Sequence, residues 1–219
     1  MQTVGLSLLL IVTVGLFALI LYWAVVLQPR AERALGALTG EAAWKASGLE
    51  ECANRGFSLC QVVPLPRMTA AEFRFQDEAG FAIAKYVANS KKRGTLEFGG
   101  RKATLYVQGA PLGGSAFAGK VGGSTDDSIV IRDDAHLIAE AWRTRLFPPV
   151  RFRCDYRGEQ YEITGVSWWG AGAGTVTRNG EQVGAICRPA LGSRNLFLAL
   201  RRDLPEELKI CLCSIALLQ

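Results

Sequence analysis

The chain has 219 residues, enough for one membrane-length segment and one domain of ordinary size. Twenty-four glycines against eight prolines suit many short strands joined by tight turns better than a helical bundle. A net charge of +5 and a pI near 9.0 suit an anionic membrane surface; without a clustered basic and aromatic pattern they exclude nucleic acid as a partner.

Residues 4–27 contain no charged side chain; Val4 opens the stretch and Leu27 closes it. As a helix it is roughly 36 Å long, more than a hydrocarbon core of about 30 Å requires. A cleaved signal peptide would carry a positive start, a shorter apolar core and a small-residue cleavage site. Met1, Gln2 and Thr3 carry no side-chain charge, and Gln28, Pro29 and Arg30 follow directly. The segment therefore reads as a retained transmembrane anchor, residues 1–29, with Tyr22 and Trp23 placed for an interfacial aromatic belt. Arg30 and Arg33 follow it and no Lys or Arg precedes it, so the positive-inside rule puts the remainder in the cytoplasm. A GC-rich amino-acid usage suggests a bacterial inner membrane.

Cys52, Cys60, Cys154, Cys187, Cys211 and Cys213 show no framework spacing and read as reduced thiols. A Cys52–Cys60 pair is the alternative for a domain on the oxidising side. Residues 30–68 read as a juxtamembrane linker. It is weakly helical around Leu35, Leu38, Ala42, Trp44 and Leu49, is interrupted by Gly36, Gly40 and Gly48, and ends at Pro64 and Pro66. Trp44 reads as a packing contact with the domain, with a place at the lipid interface as the alternative.

From residue 69 to 219 the pattern becomes β. Val150, Phe152, Cys154 and Tyr156 alternate with Arg151, Arg153, Asp155 and Arg157, a half-buried strand. Further strands are expected at 73–76, 81–87, 95–98, 103–108, 128–132, 137–143, 160–168, 174–178, 182–187 and 195–200. Turn residues separate them at 77–80, 99–100, 157–158 and 179–180. Asn179-Gly180 is the strongest hairpin signal, since a type I′ turn needs positive φ at both positions. Asp203 and Glu206 around Pro205 read as a helix start with a capping box, and residues 208–218 are apolar on every side after Lys209. That segment is far too short to cross a bilayer, so it must be buried in protein. The expected fold is mainly β: an anchor helix plus a closed antiparallel barrel of about twelve strands around a buried C-terminal helix.

The hairpin Arg178-Asn179-Gly180-Glu181-Gln182-Val183-Gly184-Ala185-Ile186, the strand Phe197-Leu198-Ala199-Leu200, and the Asp203-Leu204-Pro205-Glu206 helix start resemble the C-terminal end of the tubby-like superfamily. That group includes tubby domains, phospholipid scramblases and LURP-one-related proteins. The resemblance covers roughly residues 150–219. It implies a twelve-stranded barrel closed around an apolar helix and a lipid-related role. Here a separate N-terminal segment, not the C-terminal helix, serves as anchor, and neither a scramblase-type calcium loop nor the tubby phosphoinositide cluster has a counterpart.

Chemical motifs are weak. Gly114 to Lys120 has phosphate-loop spacing, but Val121 stands where a Mg²⁺-binding hydroxyl is needed. His136 is the single histidine, Cys211 and Cys213 fall on different sides of an apolar helix, and the Asp126-Asp127 and Asp133-Asp134 pairs lack calcium-loop spacing. No catalytic residue, cofactor or metal is expected. Candidate contacts to lipid or a partner are Trp168 and Trp169 at a Gly-rich turn, the turn Lys91, Lys92 and Arg93, and Arg151, Arg153 and Arg157 on one strand face. Each basic charge near an anionic leaflet contributes about 1 kcal/mol. The expected function is a non-enzymatic, single-pass membrane protein whose cytoplasmic barrel binds lipid or a membrane-associated partner. An accessory or scaffold subunit of a larger membrane complex is the alternative, and an enzyme with a site hidden from sequence is the third reading.

Overall fold

The computed structural model describes residues 2–65, 71–90, 92–108, 128–134, 136–145, 151–165, 172–189 and 193–218; of these, the side chains of 2–11, 24, 25 and 145 are not described. Helix α1, Gln2–Tyr22, runs through a π-helical turn, Trp23–Leu27, into α2, Gln28–Gly36. Pro29 explains the π turn. It has no N–H to offer Val25, and the Gln28 N–H reaches back to the Trp23 carbonyl instead. Counted over the residues whose side chains are described, which in α1 are 12–22, no helix is long and apolar enough to cross a membrane. Two short helices follow, α3 (Gly40–Ser47) and α4 (Glu50–Ala53), with Gly48 in the left-handed conformation ending α3 at φ 66°.

Twelve antiparallel strands then form a closed barrel. They are β1 (Phe57–Leu65), β2 (Glu72–Gln76), β3 (Ala82–Ala88), β4 (Arg93–Phe98), β5 (Arg101–Gln108) and β6 (Ser128–Asp133). The second half is β7 (His136–Arg145), β8 (Arg151–Tyr156), β9 (Glu159–Thr164), β10 (Gly172–Arg178), β11 (Glu181–Arg188) and β12 (Leu196–Arg201). Each strand pairs with its sequence neighbours, and β1 with β12 closes the ring through Phe57 opposite Arg201 and Val62 opposite Leu196. Closure leaves no sheet edge exposed.

The eleven strands expected from alternation are all present. The twelfth corrects the domain boundary: the barrel starts at Phe57, not at residue 69. Strand β1 escaped the alternation test because both its faces are covered. Leu59, Cys60, Gln61, Val62 and Val63 are all buried, so no period of two is visible. Its inner face lines the barrel, while Phe57 and Leu59 pack outward against Ala43, Trp44 and Leu49. Residues 40–53 therefore cover the outside of β1, β11 and β12 instead of trailing as a linker.

Helix α5, Glu206–Leu217, fills the barrel, and Leu208 and every residue from Ile210 to Ala216 are buried. Removing each of Leu208, Ile210, Leu212 and Ile215 from water contributes about 1.5–3 kcal/mol. The expected capping box is absent. Pro205 is the residue before the helix, no side chain caps it, and Asp203 is instead held by Arg201 at 3.0 and 2.7 Å.

Candidate functional site: the loop end of the barrel

An up-and-down barrel sends its connections alternately to two ends. One end carries tight turns at 99–100, 157–158 and 179–180, each with both residues at positive φ. Asn179-Gly180 forms its hairpin as expected, at φ 53° and 83°. The other end carries the connections 66–71, 89–92, 109–127, 146–150, 165–171 and 189–195, most of them longer.

The helix that continues from α1 docks beside this loop end. Gln61 Nε2 donates to the Leu35 carbonyl at 2.7 Å. Glu32 accepts from the Arg194 backbone N–H at 2.8 Å and from Asn195 Nδ2 at 2.6 Å. Gly36 sits against the Val63 side chain, where a Cβ would come within 2.6 Å. Moving from Leu35 back to Glu32 moves from mid-β1 to the rim, so α1 leaves the barrel on the loop side. Arg188 is buried beside this junction, its Nη1 donating to the Ser193 carbonyl at 3.5 Å. Desolvation lowers its guanidinium pKa, and the nearby Glu32 charge opposes that shift.

By sequence the two ends differ in charge. The loop-end connections hold Arg67, Lys91, Lys92, Lys120 and Arg194 against Asp126 and Asp127. The turn end holds Asp77, Glu78, Asp134 and Asp203 against Arg55, Arg157 and Arg202. Of the basic loop-end group, Lys92 and Arg194 are described, and both are exposed.

The candidate contacts sort accordingly. Trp168, Trp169 and Lys91 lie outside the described residues; the connection holding both tryptophans joins β9 and β10 at the loop end. Lys92 is exposed, and the Arg93 guanidinium lies 5.4 Å from the Tyr106 ring centroid. Arg151 and Arg153 point outward from β8 at and near the loop end, but Arg151 is bridged to Glu162 at 3.3 Å and Arg153 stands opposite Glu162 in register. Arg157 is separated from them. It sits in the β8–β9 turn at the opposite end, and its guanidinium meets Glu207 at 2.8 Å. Strand geometry puts six residues about 20 Å apart, so the three arginines do not form one patch.

Glu207 gathers a second group that sequence reading missed. Its carboxylate accepts from Arg101, Tyr156 and Arg157, each at 2.8 Å. These partners lie far away in sequence, and only barrel closure brings them together. Burial acts to raise the Glu207 pKa, but the Tyr156 hydroxyl and the Arg101 and Arg157 charges outweigh it and leave it lowered. Burial first, then the Glu207 carboxylate, push the Tyr156 hydroxyl up to about 12. The group pins the start of α5 at the barrel mouth.

His136 is exposed at the start of β7, opposite Asp133. The Gly114–Lys120 motif and the Asp126-Asp127 pair lie outside the described residues. Among the described residues no group of three or more His, Cys, Asp or Glu is placed to hold a metal. Cys60 meets Cys213, not Cys52, which packs against the outer cluster under α3. No family model, curated protein or solved structure matches the chain.

Proposed function

We propose that this is a single-pass membrane protein whose barrel holds its loop end against the bilayer and binds membrane lipid or a membrane-associated partner there. The observation that carries the reading is the state of the first helix. Val12, Val14, Leu16, Phe17, Leu19, Ile20, Leu21, Tyr22 and Trp23 are all exposed, and at helical spacing they cover every face. A helix apolar all round needs an apolar surrounding, and α1 with its 21 uncharged residues is about 31 Å long, matching a hydrocarbon core. Docking of α2 on the rim ties the barrel's orientation to that helix. The excess of basic residues in the loop-end connections suits an anionic leaflet. The arginines at positions 30 and 33 suit a cytoplasmic barrel in a bacterial inner membrane.

Membership of the tubby-like superfamily belongs to the same proposal. A twelve-strand antiparallel barrel closed around an apolar C-terminal helix is the architecture that the resemblance implies.

Alkaline carbonate extraction of membranes containing the full-length protein tests the anchor: the protein stays in the pellet, and release into the supernatant refutes the reading. Native mass spectrometry of the detergent-purified protein tests the ligand. Retained anionic phospholipid, diminished in a Lys92→Gln/Arg194→Gln variant, supports a lipid-binding loop end. A stoichiometric membrane protein without lipid supports the scaffold reading instead.

A further inference from the structure

The β1–β12 seam joins the first and last strands of the barrel, so its closure brings together the most distant parts of the domain. Cys60 lies on that seam, opposite Leu198 of β12. Its side chain points inward, where the central helix places Cys213. The Cys213 thiol contacts the Cys60 sulfur at 3.3 Å, both residues are buried, and all six cysteines are free thiols. A disulfide needs its sulfurs at about 2.05 Å, a closer approach of little more than 1 Å, which side-chain rotation can supply. Among the described residues no other pair of cysteines is hydrogen-bonded, so this pair is distinguished by geometry and not by the number of thiols.

We infer that Cys60 and Cys213 form an oxidation site: a dithiol that a low-molecular-weight disulfide converts into a covalent staple between the central helix and the seam. The chemistry balances as two successive exchanges. One protein thiol loses its proton to solvent, and its thiolate attacks X–S–S–X. A mixed disulfide forms and one XS⁻ leaves, taking up a proton. The second protein thiol then loses its proton and attacks the protein sulfur of the mixed disulfide, expelling the second XS⁻. The two cysteines are oxidised by two electrons, and X–S–S–X is reduced to two X–SH. Burial pushes the Cys213 thiol well up and the Cys60 hydrogen bond adds to this, so the folded pair is slow to react. The exchange proceeds through openings that withdraw α5, and the staple then prevents further opening. In a reducing compartment the pair remains as thiols and the helix is held by packing and by the Glu207 contacts.

The test uses full-length protein in detergent, incubated with oxidised glutathione a few degrees below its melting temperature. Non-reducing peptide mapping is expected to find the Cys60–Cys213 cross-linked peptide as the main disulfide. The melting temperature is expected to rise on the order of 10 °C, because the cross-link closes a long loop, and to return to its starting value with reductant. Cys60→Ala abolishes the shift, and Cys52→Ala retains it. Glutathione adducts or other pairings as the main products would overturn the inference, as would a Cys60–Cys213 cross-link that leaves the melting temperature unchanged or lower. Should Cys60→Ala fail to fold, the wild-type map and the reductant reversal decide alone. None of these outcomes depends on the membrane reading.

Discussion

Glu32, on the helix that follows the apolar segment, reaches Asn195 on the barrel rim, with 2.6 Å between its Oε2 and the amide Nδ2. Asn195 is fully buried, so removing the carboxylate leaves a desolvated amide donor without this partner. We expect Glu32→Ala to cost about 2 kcal/mol, read as a lower melting temperature of the full-length protein in detergent. The double variant with Asn195→Ala should cost less than the sum of the single changes, because both remove one contact. Strict additivity would show that the contact does not hold α2 to the barrel.

Glu207 makes barrel stability depend on acid. Its folded pKa lies below the ordinary value of 4.5, so its contribution is fully present above that value and is lost as pH falls through the lower folded one. Denaturant midpoints measured from pH 6 to pH 3 should fall below about pH 4.5 in the wild type. Glu207→Gln should start lower and fall less steeply. Parallel curves would remove Glu207 from the account.

Trp44 anchors the outer layer. It is 8 % exposed, in a cluster with Leu49, Phe57, Leu59, Ala185, Phe197 and Ala199. Trp44→Ala should cost about 3–5 kcal/mol and make residues 40–53 susceptible to limited proteolysis. Unchanged protease resistance would mean that this layer is held elsewhere.

Gly184 marks a close approach in β11. A Cβ there would lie 2.6 Å from Leu200 Cδ2 and 3.1 Å from both the Ala199 carbonyl and Val176. Gly184→Ala should cost about 1–3 kcal/mol in chemical denaturation, since the neighbours are a strand backbone and the packed core. A stability gain would show that the packing of β11 against β12 has room.

Strands such as β8 were legible because they bury one face: Phe152, Cys154 and Tyr156 inside, Arg151 and Arg153 outside. Helix α5 was legible for the opposite reason, its lack of any polar face. Strand β1 was hidden because α3 buries its outer face as well, and continuous burial looks the same in a linker, a strand or a helix. The candidate site was only partly legible. Arg151 and Arg157 sit six positions apart in sequence, and the direction of β8 sends them to opposite ends. The bonds from Glu32 to Asn195 and from Arg101 to Glu207 join residues that no local pattern connects. What the alternation of strands did contain, once counted, was the sorting of connections between the two ends.

The most direct test of the central claim is depth-dependent quenching in lipid nanodiscs. Full-length protein would carry a fluorophore on a single introduced cysteine at Ser90 on the loop end or at Asn179 on the turn end, in a Cys52→Ser/Cys187→Ser background. Lipids with brominated acyl chains should quench the label at Ser90 and leave the label at Asn179 unaffected. Equal quenching at both positions, or stronger quenching at Asn179, would contradict a barrel held with its loop end against the bilayer.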